Sequence, residues 1–294
     1  MALATNPVNI NRGTTGIQLT PEQSNEIWAN AVKESAVMQL AQRVNLPGSG
    51  ISIPIVTGDP VADFVAETAE KPVSSSTFGT KVMTPYKIAV IELFSNEFRR
   101  DLPALYRELA RRLPAAIGAK FDATVFGGTA PGTGFDVLTS ATAVGIGGTG
   151  TYGKLVTAFT TVGTVGRVNG WAVSPQGEGI LLGATDQAGR PLLIDSINDD
   201  SAIGRLLGAQ VVESDHVYKA GTPNVVGFAG DWTQARYGIV DGINVSISEE
   251  ATVNTGTEQV NLWQRNMFAL RCEAEVGFVV KNAAAFVKLT DAAS

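Results

Sequence analysis

The chain has 294 residues, 44% of them hydrophobic, which allows a large core and, at ~100–200 residues per domain, about two domains. Only 17% of residues are charged, below the ~25% of an average soluble protein, as suits a surface largely covered by other protein. The net charge of −6 argues against a basic nucleic-acid reader, and the lone Cys272 excludes a disulfide framework within the chain.

The opening Met1-Ala2-Leu3-Ala4-Thr5-Asn6-Pro7 has neither the basic region nor the apolar run of a secretion signal. No stretch approaches the ~18 apolar residues of a membrane span. Residues 1–19 carry one charged side chain, Arg12, and read as an extended arm. Thr20-Pro21-Glu22-Gln23 is a helix start, with a capping Thr20 and a proline in the first turn. Ile27, Ala31, Val32, Val37, Leu40 and Ala41 follow at helical spacing until Pro47-Gly48 ends the segment. Ile51, Pro54, Ile55 and Val56 read as a strand closed by Gly58-Asp59-Pro60. Residues 57–80 are small, polar and acidic, with Phe64 and Phe78 as the large anchors, and a second strand runs over Lys87–Leu93. Such a polar excursion between strands predicts a two-stranded loop projecting from the body.

Asp101-Leu102-Pro103 starts the longest helix, with an apolar stripe of Leu102, Leu105, Leu109, Leu113, Ile117 and Phe121. Pro114 inside it predicts a kink or a split into two helices. The glycine-rich residues 127–153 read as loop or a weak hairpin. A short helix is predicted over Lys154–Thr161, a buried strand over Gly170–Pro175, a short helix over Gly177–Leu182, and a tight turn over Asp186–Pro191. From Val211 onward strands dominate, at 224–229, 236–248 and 267–289.

Candidate chemistry is sparse. Gly148-Thr149-Gly150-Thr151-Tyr152-Gly153-Lys154-Leu155 nearly matches a phosphate-binding loop, but Leu155 cannot supply the magnesium-holding hydroxyl and no strong apolar strand is expected before it. His216 is the only histidine, and without a nucleophile-elbow motif it reads as a surface-loop residue rather than a triad member. Asp195, Asp199 and Asp200 fit no calcium loop, so no metal and no cofactor are expected. Arg107, Arg111 and Arg112 read either as a solvated helix face or as a contact for acidic loops of a neighbouring copy.

Taken in order, several pieces resemble the major capsid proteins of tailed bacteriophages. They are the acidic loop Ala62–Phe78 with Ala66-Glu67-Thr68-Ala69-Glu70-Lys71-Pro72, the long helix ending at Gly127, and Pro131-Gly132. Then come Trp171–Pro175, the Asp186–Pro191 turn, Gly208–Val212, Gly230-Asp231-Trp232, Asn266–Glu273 and Phe286–Leu289. The resemblance implies an α+β capsid fold: an N-terminal arm with a helix in 1–48, an extended two-stranded loop in 49–94, a long spine helix and C-terminal strands in a peripheral domain (95–150 and 236–294), and an axial domain (151–235). It further implies hexamers and pentamers closing into an icosahedral shell around double-stranded DNA, assembled in the host cytoplasm, with no membrane and no sequence-specific DNA contact. An acidic wall that repels phosphate suits such a container. A portal and decoration proteins are implied partners, and because the arm begins almost at Met1, scaffolding is expected from a separate protein.

Some members of the family weld neighbouring subunits with a Lys–Asn isopeptide bond assisted by a glutamate. Lys71, Asn266 and Glu273 fall where those residues would be. The amine attacks the amide carbon, ammonia leaves, and the carboxylate takes the proton; a dry inter-subunit pocket would favour the neutral amine that attack needs. The same three residues also read as ordinary polar interface residues. An encapsulin-type cargo shell on the same fold is the nearest alternative function, and a small hydrolase, disfavoured by the missing nucleophile–base pair, is the alternative of another class.

Overall fold

The structure is a computed structural model that describes residues 35–66, 70–96, 102–184, 204–240, 244–256 and 258–293. The predicted arm, the Thr20 helix start, the Asp186–Pro191 turn and the acidic cluster at Asp195, Asp199 and Asp200 lie outside these residues.

Two sheets flank the long helix. In the first, β14 (Met267–Val280) pairs antiparallel with β4 (Tyr86–Ser95) along Met267–Val276, with β11 (Asn244–Ser248) along Ala269–Glu273, and with β10 (Ala235–Ile239) along Val276–Val280. β1 (Gln42–Asn45) adds to β10 in parallel. The period-2 pattern predicted over 267–289 is realised in β14, where Cys272, Ala274 and Val276 are buried while Arg271, Glu273 and Glu275 point to the wetter face. The second sheet has the order β5-β15-β9-β6-β8-β7, built from β5 (Thr142–Gly147), β15 (Phe286–Ala293), β9 (Val225–Gly230), β6 (Gly170–Val173), β8 (Ala209–Glu213) and β7 (Arg205–Leu206). All four residues of β6 are buried, as its apolar run predicted.

Three sequence expectations change. The helical segment predicted to run to Pro47 ends at α1 (Ala36–Leu40): Ala41 is extended, and Gln42–Asn45 become β1 because β10 offers them a partner edge. The glycine-rich 127–153 segment contains β5 and the start of the next helix. Thr142–Gly147 has weak intrinsic strand preference, and its pairing with β15 overrides that. Consequently β5 and β15 hydrogen-bond into one sheet with β6, β8 and β9, so sheet membership does not follow the segment limits at 150 and 236. Finally, α2 (Leu102–Gly127) runs unbroken through Pro114. One missing ladder bond in 26 residues is tolerated where Ile117, Phe121, Val125 and Phe126 fasten the following turns into the core.

Those four side chains centre a core shared by both sheets. Phe121 meets Phe278 of the first sheet at 6.2 Å between ring centroids, edge to face, and Phe126 meets Phe228 of the second at 5.1 Å. A second core lies between the six-stranded sheet and α3 (Thr151–Gly163), where Leu155, Ala158 and Val162 pack with Ile146, Trp171 and Leu289. The remaining helix, α4 (Pro175–Leu182), is capped by Ser174, whose hydroxyl accepts from the Gly177 amide at 3.2 Å.

Candidate assembly surfaces

β2 (Ile51–Gly58) and β3 (Thr77–Met83) form the predicted two-stranded projection, in register from Ile51 opposite Met83 to Val56 opposite Phe78, with a shift before Gly58 meets Thr77. Its base is held by a small cluster of Leu46, Ile53, Met83 and Val279. Gly238 and Gly277 face each other across β10 and β14 directly beneath it. A Cβ on Gly277 would lie 2.8 Å from Met83 Cγ and one on Gly238 2.7 Å from Leu46 Cβ, so the glycines make room for the seat.

Beyond that seat the projection has no core. Val56, Val61, Phe64, Val73 and Phe78 all face solvent, with Phe64 at 105% and Val73 at 98% relative exposure. Local bonds shape the tip: Val61 N–H donates to Ser74 Oγ at 2.8 Å and Phe64 N–H to Asp63 Oδ1 at 2.8 Å. Each large apolar side chain left in water forgoes about 1.5–3 kcal/mol of burial, and five of them on one projecting element mark a contact surface.

Two further surfaces share this character. The turn after the hairpin β12–β13 (Thr252–Asn254 and Gln259–Asn261) carries Trp263, exposed beside the bidentate Arg265–Glu258 ion pair. The outer face of α3 presents Tyr152, Val156, Thr157 and Thr160 and no exposed charge, because Lys154 folds back to donate to Gly147 O at 2.6 Å. The Thr157 and Thr160 hydroxyls donate to their own helix backbone at 3.0 Å each, leaving their methyl groups outward.

Residues 15–291 match the model of the phage capsid family. The chain belongs to that family. It is 35% identical to the probable major capsid protein gp17 of Mycobacterium phage L5, over 93% of this chain and 89% of that protein. A solved chain from Mycobacterium phage Bobi superposes with a TM-score of 0.73 at 23% identity, covering 89% of this chain and 92% of that one. A structure titled as the capsid of an empty GTA particle, computed with C5 symmetry, superposes at 0.69 with 16% identity over 88% of this chain and 90% of that one. The fold is therefore the α+β phage major-capsid fold that the sequence landmarks implied.

Within this capsid protein Lys71 is exposed in the loop of the projection. Asn266 closes the turn before β14 in a left-handed backbone conformation, φ 52°, and its Oδ1 accepts from Asn96 Nδ2 at 3.1 Å. Glu273 lies seven residues further on, roughly 23 Å along the strand at ~3.3 Å per residue. Its carboxylate holds Arg271 Nε at 3.2 Å and Lys87 Nζ at 3.5 Å. Among the described contacts none joins Lys71, Asn266 and Glu273 within one chain.

The other sequence candidates resolve as follows. His216 is exposed in a single helical turn (Asp215–Val217), with no ring hydrogen bond to a serine among the described residues. The glycine loop at 148–153 does follow a strand, β5, contrary to expectation, but Leu155 is buried in the core and offers no hydroxyl. Among the described residues no group of three His, Cys, Asp or Glu side chains gathers as metal ligands would. Arg112 is exposed; the side chains of Arg107 and Arg111 lie outside the described ones.

One buried carboxylate escaped the sequence reading. Asp122, on α2, is fully buried. It accepts from Ser35 Oγ at 2.5 Å, from the amides of Ala36 at 2.7 Å and Val37 at 3.4 Å, and from Ser214 Oγ at 3.4 Å. It thus caps α1 and ties the chain leading out of residues 1–34 to the spine helix and to the six-stranded sheet. Burial pushes its carboxyl up from 3.8 to about 6, against the lowering effect of the Ser35 bond, the two amides and the His216 charge. The signal was present: an aspartate four residues before Phe126 and one after Phe121 falls on the apolar side of the helix.

Proposed function

We infer that the chain is the major shell subunit of a tailed phage, forming hexamers and pentamers that close into an icosahedral shell around double-stranded DNA. The observation that carries this reading is the projection of β2 and β3: an apolar, core-free element at a fixed place on a rigid body gains its burial only from neighbouring copies. Many modest contacts of this kind give a stable closed shell while single contacts stay reversible during assembly. In this reading residues 1–48 are the arm, 49–94 the extended loop, 95–150 with 236–294 the peripheral domain, and 151–235 the axial domain, whose sheet is completed by β5 and β15. Assembly takes place in the host cytoplasm with portal, scaffolding and decoration proteins as partners.

The same reading assigns a self-catalysed weld. Lys71 of one copy, as the neutral amine, would attack the Asn266 amide carbon of another, and Glu273 of a neighbouring copy would take the amine proton and pass it to the amide nitrogen, whose bond to carbon breaks as it leaves as ammonia. Asn266 and Glu273 lie seven residues apart along one chain, so different copies would supply them.

Expression of the full chain followed by negative-stain microscopy tests the shell reading. Closed particles are expected, and a chain that stays monomeric under all solution conditions overturns it. Nuclease-protected DNA in phage-derived particles separates it from a cargo compartment. A ladder on a denaturing reducing gel, with one ammonia lost per bond and abolished by Lys71→Arg, is the expected sign of the weld; a clean monomer band rejects it.

A further inference from the structure

A cavity of about 440 Å³ opens between β4 and α2. Its wall is apolar and partly aromatic, built from Tyr86, Ile88, Val90, Ile117, Phe121 and Phe135. Phe121 and Phe135 meet edge to face at 6.2 Å, and Tyr86 stands edge-on to Phe135 at 6.1 Å with its hydroxyl donating to Thr133 O at 2.7 Å. The aromatic floor is therefore fixed rather than collapsible. Two lysines line the cavity. Lys87 is already paired with Glu273 and Glu275 at 3.5 and 3.3 Å. Lys120 is exposed, next to Phe121 and one turn before Thr124, and no carboxylate partner for it is found among the described ion pairs.

The complementary shape is on the same chain but not in the same place. Phe64 stands fully in solvent at the tip of the projection, so it does not fill its own chain's cavity. Its flanks are acidic: residues 59–76 contain Asp59, Asp63, Glu67 and Glu70 against one lysine, Lys71. The Asp63 carboxylate is held beside Phe64 by the Phe64 amide at 2.8 Å.

We propose that Phe64 of one copy seats in the cavity between β4 and α2 of a second copy, with Asp63 and its acidic neighbours meeting Lys120 at the rim. The inference rests on the shell reading and deepens it, by naming the anchor and its socket. An aromatic knob entering an aromatic-floored cavity gains edge-to-face contacts as well as area. The acidic loop against Lys120 fixes orientation and speeds encounter more than it adds affinity.

The test uses assembled particles. Zero-length carbodiimide coupling of wild-type particles, which joins an amine to a carboxylate as an amide, is expected to give peptides linking Lys120 to Asp59, Asp63 or Glu70. Coupling of Lys120 only to other acids overturns the proposal. Independently, a Val65→Cys, Ala116→Cys chain is expected to form inter-chain disulfides on oxidation, seen as a ladder on a non-reducing gel, since Cys272 is buried and stays out of the reaction. Intact particles that run as monomers overturn the docking while leaving the shell reading standing; wild-type chains that never form particles overturn both. If a cysteine placed by Val8→Cys, rather than by Val65→Cys, captures the one at position 116, the cavity belongs to the chain's own N-terminal segment and the proposal fails. Phe64→Ser should lower particle yield about tenfold or more, and Phe64→Leu far less.

Discussion

The mixed six-stranded sheet and the antiparallel projection of β2 and β3 are both rich in β-branched residues, yet they treat apolar side chains in opposite ways. The sheet encloses Trp171, Phe228, Phe286 and Leu289 completely, and a helix covers each face-forming cluster. The projection sets Val56 opposite Phe78 in register and leaves both in water. Strand pairing alone therefore does not make a self-sufficient element. The sheet folds because its own chain covers it, whereas the projection is covered by its own chain only at its base.

The contrast can be broken most strongly at the core. Phe121→Ala should remove about 3–5 kcal/mol from the unassembled subunit, measured by chemical denaturation, by opening a hole where three aromatic rings meet. The paired change Val56→Ser with Phe78→Ser should alter that subunit stability by about 0.5 kcal/mol or less and still suppress particle formation, measured by sedimentation. Equal loss of stability from both variants would erase the distinction. At the junction of the two regions, Gly277→Val should force Met83 and Leu46 aside at about 1–3 kcal/mol and loosen the seat of the projection, visible as earlier proteolysis within residues 51–83.

Asp122 sharpens the comparison through pH. Its folded-state pKa of about 6 exceeds the ordinary 3.8, so the native state binds the proton more tightly. The stability tied to this group is full below about pH 3.8, falls as pH rises through 6, and is level above that. The slope integrates to at most about 3 kcal/mol, and Asp122→Asn should flatten it between pH 4 and 6, read from denaturation midpoints at a series of pH values. The smallest effect concerns Cys272, whose thiol is pushed up to about 12 by burial and the nearby Glu273 and Glu92. It should resist a thiol reagent at pH 8 in the native subunit and react fully on denaturation.

The legible parts of the fold are those where pattern and environment agree. Arg271-Cys272-Glu273 alternates because β14 has one dry and one wet face, and the polar excursion 57–80 reads as a projection because nothing in it can make a core. β1 was hidden because Val37, Leu40 and Ala41 carry a helical spacing up to its first residue, and only the edge of β10, almost two hundred residues away, makes Gln42–Asn45 extended. The cavity of the proposed socket was not legible either, since it lies between residues of β4 and α2 that are apolar for the sake of the core. The weld proposed for Lys71, Asn266 and Glu273 would lie between chains, where one chain's sequence carries no signal of it.

β5 has a consequence for how the chain is made. It lies at the sheet edge and, among the described residues, pairs only with β15, so Thr142–Gly147 must wait while about 140 further residues are made before its partner emerges. A ribosome-bound chain thus carries an orphan strand, and one rich in valine or isoleucine would invite nascent neighbours to join it. The modest Thr-Ala-Val-Gly-Ile-Gly sequence, poor enough in strand character to be overlooked, is also a bland one to leave unattended until translation delivers the complement.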